Sequence, residues 1–288
     1  MGKITDKLTI DLSDHYGLID VLGQKAKAFL QGQLTCDIEK ISPHKPGIGA
    51  FCSPKGRIIA LCRVFQHQNA YRLQIPKSLI SILIPLLEKT ARFSKVRLQD
   101  VSEQFVRFGI LGISAMPETP SAFVLSKNPL CAEFIGTQAE YDNLVTTQRD
   151  LNTGTLADWK AALIQAGIPE IYPDTSEHFL PHYLNLPKLD AVSFTKGCYC
   201  GQEIIARMEY RGNLKRSLYY AEISQPQSNL TPGSTVYFAN KQPAGTLVEL
   251  AAKSSHLLAL IELKEEGTSA ELFLALDQPI TFQTLQQL

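Results

Sequence analysis

The stretch FTKGCYCGQEIIARMEYRGNLKR, residues 194–216, decides how this chain is read. Two glycines, Gly197 and Gly201, flank two thiols, Cys198 and Cys200. Glycine permits tight turns and close approach of a ligand. Glu203 to Tyr210 has the composition to begin a helix just after Gly201. A thiol just before a helix N-terminus and near Lys or Arg has its thiolate favoured, which makes it more reactive. Cys198 is the better candidate for such a thiol; Cys200 need not take part. Residues Lys196 to Arg216 hold five basic and two acidic side chains, a local excess of +3. The same residues also suit a buried turn whose small side chains merely fit and whose cysteines are inert.

Around this basic segment the chain is neutral. It has 288 residues, with 28 Lys and Arg against 28 Asp and Glu. That balance argues against a chain-wide nucleic-acid or anionic-membrane footprint. The length suggests about two domains, and a hydrophobic content of 44% supports a globular core. No stretch approaches the roughly 18 apolar residues of a transmembrane helix. The N-terminus, MGKITDKLTIDLSDHYG, has no apolar run, so no signal peptide is expected. The six cysteines contain no CxxC. Reduced thiols, a cytoplasmic location and no structural zinc site follow as expectations.

Working outward, residues 8–13, Leu18 to Leu22, Arg57 to Phe65, Tyr71 to Ile75, Val96 to Val101 and Phe105 to Ile113 read as strands. Gln24 to Leu34 and Lys77 to Arg92 have helical spacing, the second interrupted near Pro85. The strand–strand–helix–strand–strand run suggests half of an α+β layer. Residues 114–130, with three prolines, read as a linker, and Glu133 to Val145 as strand and turn. Thr155 to Ala166 is a helix with Thr155 as cap, Asp158 at the capping-box position and Gly167 as its stop. From there to Phe194 the chain is irregular. QPQSNLTPGS (225–234) reads as a domain boundary. The remaining residues form a small all-β module that is too small to bury much core alone.

Lys196, Gly197, Cys198, Tyr199, Gly201, Gln202 and Glu203 match a Lys-Gly-Cys-Tyr-x-Gly-Gln-Glu signature. The chain thereby resembles the YgfZ family of folate-binding proteins, one branch of which serves mitochondrial iron–sulfur assembly. FLQGQLTCDI (29–38), FCSPKGRI (51–58), AGIPEI (166–171) and LPHYLNLPKLDAVSF (180–194) resemble other family segments, in order. In the last of these, His182 stands where the family has Gln. The wider fold group is that of the glycine cleavage T-protein, an aminomethyltransferase. The resemblance implies an α+β fold, a T-protein-like multi-domain ring with mixed α/β layers and a small C-terminal β-barrel module. Residues 1–224 would form the folate-binding region, as two interleaved subdomains with the second at about 45–130. Residues 225–288 would form the barrel.

The T-protein needs an acidic pair after the turn at residues 53–57, and here Ala60 and Leu61 occupy those places. Neither can act as a base, so aminomethyl transfer by that route is not expected. The resemblance instead implies a tetrahydrofolate-binding accessory protein in iron–sulfur cluster assembly or repair, with indirect effects on tRNA modification. Cys198 would be the functional thiol, accompanied by Lys196. Tyr16, Tyr199, Gln202, Glu203, Arg207 and Arg211 would contact folate, since a pterin needs an aromatic slot and its glutamyl tail needs cations. Iron–sulfur proteins or assembly factors are the expected transient partners, with no membrane and no direct nucleic-acid contact. A folate-dependent aminomethyl- or methyltransferase and a noncatalytic RNA- or protein-binding module remain the alternatives. His178 and His182 have a metal-like i, i+4 spacing, but Pro181 between them speaks against the regular helix this needs. Trp159 reads as a packing anchor. Cys36, Cys52 and Cys62 read as core residues, and Asp37 either as a family position or as a turn-forming side chain.

Overall fold

The computed structural model describes residues 7–43, 45–67, 70–113, 121–127, 130–147, 151–212, 214–224, 230–253, 256–268, 271–274 and 279–288. In chain order the elements begin with β1 (Leu8–Asp11), β2 (Tyr16–Leu22), α1 (Ala26–Gln33), β3 (Gly47–Cys52), β4 (Ile58–His67) and β5 (Ala70–Pro76). Then come α2 (Ile80–Phe93), β6 (Arg97–Asp100), β7 (Val106–Leu111), β8 (Ala122–Lys127), β9 (Leu130–Gly136) and α3 (Gln138–Thr147). They continue with β10 (Asn152–Thr153), α4 (Leu156–Gln165), α5 (Gln202–Arg211), β11 (Arg216–Ser224) and β12 (Thr235–Phe238). The last four are β13 (Pro243–Lys253), β14 (His256–Lys264), β15 (Leu272–Leu274) and β16 (Thr281–Gln287).

Three sheets result. The first has the order β10-β1-β7-β9-β8, the second β3-β4-β5-β2-β6, and the third β15-β12-β13-β14-β11-β16. The first two interleave: β1 and β7 belong to one, β2 and β6 to the other. The strand–strand–helix–strand–strand run expected as one layer is therefore split. β6 pairs with β2, while β7 pairs with β1 and β9. The α+β class and the T-protein-like architecture both hold.

Two local readings are corrected. Residues 122–127, read as linker, form β8, whose register against β9 shifts between Val124 and Ser126. The prolines Pro117, Pro120 and Pro129 that suggested a linker lie outside the described residues. Residues after Gly136, read as strand and turn, form α3. Thr137 Oγ1 accepts from the Glu140 amide, and the Glu140 carboxylate accepts from the Thr137 amide at 2.7 Å. That reciprocal cap starts a helix whose apolar periodicity is weak. The helix at Thr155 forms as read, capped by Thr155 and Asp158 and stopped by Gly167 at φ +68°.

The largest buried cluster joins α1 and the second sheet to Leu218, Tyr220, Val248, Ala251, Leu258 and Leu260 of the third. The third sheet takes in Arg216–Ser224, ahead of the QPQSNLTPGS stretch read as a boundary. Trp159 is fully buried against Gly109, where an added Cβ would lie 2.5 Å from its ring. No described helix is long and apolar enough to cross a membrane.

Candidate functional site

The signature segment docks on the turn at residues 53–56. Gly201 caps α5 at φ +81°, and a Cβ there would lie 2.6 Å from the Ser53 carbonyl oxygen. Gly56, at φ +71°, faces Ile204. The FCSPKGRI and CGQE motifs thus meet glycine against glycine, a contact that side chains would prevent. Lys196 fixes the other flank. Its Nζ donates to the carbonyls of Leu34 at 2.8 Å and Cys36 at 2.7 Å, and lies 5.1 Å from the Tyr199 ring centroid. Burial lowers its pKa to about 8. Lys196 therefore holds the loop in place, with its ammonium turned to the chain after α1.

Cys198 is exposed and Cys200 half-buried, with burial raising the Cys200 pKa. The other four cysteines are buried free thiols, as read for Cys36, Cys52 and Cys62. Burial raises Cys36 to about 12 and holds Cys52 higher still. Tyr199 is buried, its hydroxyl has no partner among the described residues, and burial raises it to about 12. On α5, Gln202 is half-buried and Glu203, Arg207 and Arg211 are exposed. His182 does not lie on a regular helix with His178. Its Nε2 faces Glu209 at 3.2 Å, and its Nδ1 is unpartnered among the described residues. Among those residues no group of three metal-ligating side chains occurs. Asp37 accepts from the Glu39 amide at 3.1 Å, the turn-forming role.

Tyr16 lies elsewhere. It begins β2, is 1% exposed, and belongs to a different buried cluster from Tyr199. Its hydroxyl donates to Glu170 Oε1 and accepts from Trp159 Nε1 at 3.0 Å. Arg63 lies over its ring at 4.9 Å. Arg63 Nη1 pairs with Glu133 Oε1 at 2.7 Å, and Nη2 reaches Glu170 Oε1 at 3.5 Å. Gln74 Nε2 donates to Glu133 Oε1 at 3.3 Å. Each sheet contributes to this cluster: β2, β4 and β5 from the second, β9 from the first, and Glu249 on β13 from the third.

Arg63, Lys160 and His15, the last charged only when protonated, face three carboxyls, Glu133, Glu170 and Glu249. Burial raises Glu133 to about 7, against the pull of Arg63. Burial would also raise Glu170, but hydrogen bonding from His15 and the Arg63 charge hold it at about 2. Tyr172 OH contacts both Glu170, at 2.9 Å, and Glu249. One hydroxyl proton serves only one acceptor, so the second contact needs a protonated carboxyl. Burial raises the Glu249 pKa, against the pull of Lys160. Gln74 Oε1 and Glu133 Oε2 are buried acceptors without a partner among the described residues. Such orphans are costly unless a ligand or water meets them.

Tyr16, Arg63, Gln74 and Glu170 line a cavity with Ile48, Leu61, Cys62, Pro76, Ile168 and Pro169. It has ≈ 20 Å³ of room for water centres, within ≈ 290 Å³ of empty space running to solvent. The cavity thus admits about one water. Ala60 and Leu61 are buried in β4. The acids of the cavity come instead from Glu170 and the adjoining Glu133. Sequence reasoning missed Arg63, Gln74, Glu133 and Glu249, and passed over Glu170 inside AGIPEI. The available signal was a charge within an otherwise apolar strand, as in RIIALCRVF and LCAEFIG.

The interleaved sheets define the class: this is the fold of the glycine cleavage aminomethyltransferases. The structure of aminomethyltransferase T from Bartonella henselae superposes on 98% of this chain and 85% of its own, with a TM-score of 0.70 at 14% identity. The chain itself belongs to the YgfZ family. It is 30% identical over 294 residues to the tRNA-modifying protein YgfZ of Photobacterium profundum, covering 95% of this chain and 88% of that one. It is 33% identical over 235 residues to the protein of the same name in Hamiltonella defensa, covering 74% and 69%. No family model matches the chain.

Proposed function

We propose that this protein binds a reduced folate at the junction of its three sheets and uses the exposed Cys198 thiol to sustain iron–sulfur enzymes in the cytoplasm, among them enzymes that modify tRNA. The observation that carries the folate reading is the pair of unpartnered buried acceptors, Gln74 Oε1 and Glu133 Oε2, beside Arg63 and Glu170. A reduced pterin presents a donor-rich edge, and donors are what these atoms lack. Tyr16, Leu61 and Ile168 supply flat and apolar walls. These acceptors fit the donor edge; the cavity must widen to admit the ring. A reduced folate supplies a one-carbon carrier or a reductant when bound. Arg207 and Arg211 are exposed cations suited to an anionic tail. The relatives named for tRNA modification support the wider role.

Calorimetric titration of the reduced protein with tetrahydrofolate tests the first half. Wild type and Cys198→Ala are expected to bind alike. Glu133→Gln, which replaces a carboxyl that titrates near pH 7 by an amide, is expected to bind about tenfold more weakly. No binding by wild type would sink the folate reading and favour a partner-binding module. The second half is tested in a deletion strain. Cys198→Ser is expected to fail to restore iron–sulfur enzyme activity, and full rescue would exclude the thiol.

A further inference from the structure

Helix α2 is apolar on two opposite faces. Ile80, Leu83, Leu87 and Ala91 are buried against the second sheet. On the other side, Ile82, Leu86 and Phe93 are exposed by 39%, 51% and 80%, and Pro85 is exposed beside them. These three are among seven large hydrophobic side chains exposed among the described residues. Isolated exposed apolar residues are ordinary, but a contiguous row on one helix face marks a contact surface.

The spacing says what would cover it. Ile82, Leu86, Lys89 and Phe93 are separated by four, three and four residues, the alternation that faces a second helix in a coiled-coil seam. The third position is a lysine, exposed, with no ion pair among the described residues. A cation within an apolar seam calls for an acid across it. Lys95 and Arg97 are also exposed just beyond the helix, while Arg92 is already paired with Glu88 at 2.6 Å. A second copy fits poorly. Pairing α2 with itself sets Lys89 against Lys89 when parallel and against Leu86 when antiparallel, and neither supplies an acid. We propose that the outer face of α2 docks a single amphipathic helix of a partner protein, with apolar residues at the same spacing and an acidic residue opposite Lys89.

No residue of α2 lines the folate cavity. A labelled synthetic heptad peptide, with leucines along its seam and one central glutamate, is titrated against the full chain by fluorescence anisotropy. Saturable binding is expected, at least tenfold weaker for the same peptide with lysine in place of that glutamate. Lys89→Glu in the chain is expected to invert the preference. Leu86→Ala and Phe93→Asp, both at exposed positions, are expected to weaken binding with thermal unfolding and tetrahydrofolate affinity unchanged. A photo-crosslinking side chain at position 93 should label, in cells, an acidic amphipathic helix of another protein. Equal binding of both peptides would overturn the proposal, as would no binding. So would crosslinking to a second copy, with concentration-dependent dimers lost in Phe93→Asp, or to anionic phosphatidylserine vesicles.

Discussion

Glu133 shows how a single buried group sets behaviour that composition does not announce. It sits in β9 between Arg63 and Gln74, and burial raises its pKa to about 7 from an ordinary value near 4.5. The folded state therefore holds a proton that the unfolded chain releases. Its contribution to stability is full below about pH 4.5 and is lost as pH rises through about 7. Urea midpoints of wild type should fall across that window, and Glu133→Gln should show a shallower fall. An unchanged slope would place the proton elsewhere. Gly201 gives a second test at this scale. At φ +81°, with the Ser53 carbonyl where a Cβ would go, Gly201→Ala should cost at least ~1–3 kcal/mol. Equilibrium denaturation reads that cost. The signature glycines and cysteines were legible because their residue types are unusual in a short span. Arg63 and Glu133 were not, because nothing in a strand's sequence says which distant strand brings its counter-charge. Tyr16 was named as a folate contact, but its burial beside Trp159 and Arg63 came only with the fold.

At the scale of elements, the signature is a loop held at both ends and open in the middle. Lys196 anchors one end to the chain after α1, and Gly201 seats the other on the turn at residues 53–56. Between them Cys198 is exposed, while Cys36, Cys52, Cys62 and Cys131 are buried. Native protein treated with a thiol reagent should lose Cys198 first and Cys200 more slowly, with the remaining four reacting only on unfolding. Mass spectrometry of the labelled peptides checks the order, and early labelling of Cys52 would contradict the seating of this loop. Lys196→Met should loosen the anchor and speed labelling of Cys200 without altering the four buried sites. Helices α1 and α2 were legible from their apolar spacing and α4 from its cap. Thr155 and Asp158 announced α4, whereas the equivalent Thr137 and Glu140 were passed over in a stretch read as strand and turn. The apolar outer face of α2 was visible as a run of hydrophobic residues, but only the packing of Leu83 and Leu87 inward shows which of them are left over.

Across the whole molecule, the polar cluster and the largest core both cross sheet boundaries. Tyr172 OH bridges Glu170, which follows α4, to Glu249 on β13, and Lys160 on α4 reaches Glu249 at 3.2 Å. Leu218, Tyr220, Leu258 and Leu260 share their cluster with α1 and the second sheet. Strands β11 and β14 therefore have two apolar faces to cover. One carries Tyr219, Ala259 and Ile261 into the third sheet's own cluster, and the other meets the rest of the chain. A module cut out at residue 216 would expose that second face to water, at roughly 25 cal/mol per Å². It should not fold alone, and the intact chain should unfold in one transition. Trp159 is the only tryptophan and lies in α4 next to the bridge. Its fluorescence should therefore change together with the far-ultraviolet circular dichroism of all three sheets. Two separate transitions, or a stable fragment from residue 216 onward, would show that the third sheet folds on its own. The Glu249 contacts would then be a docking interface. Tyr172→Phe distinguishes the two cases further: within one cooperative unit it lowers the single midpoint, whereas in a docked pair it separates the transitions.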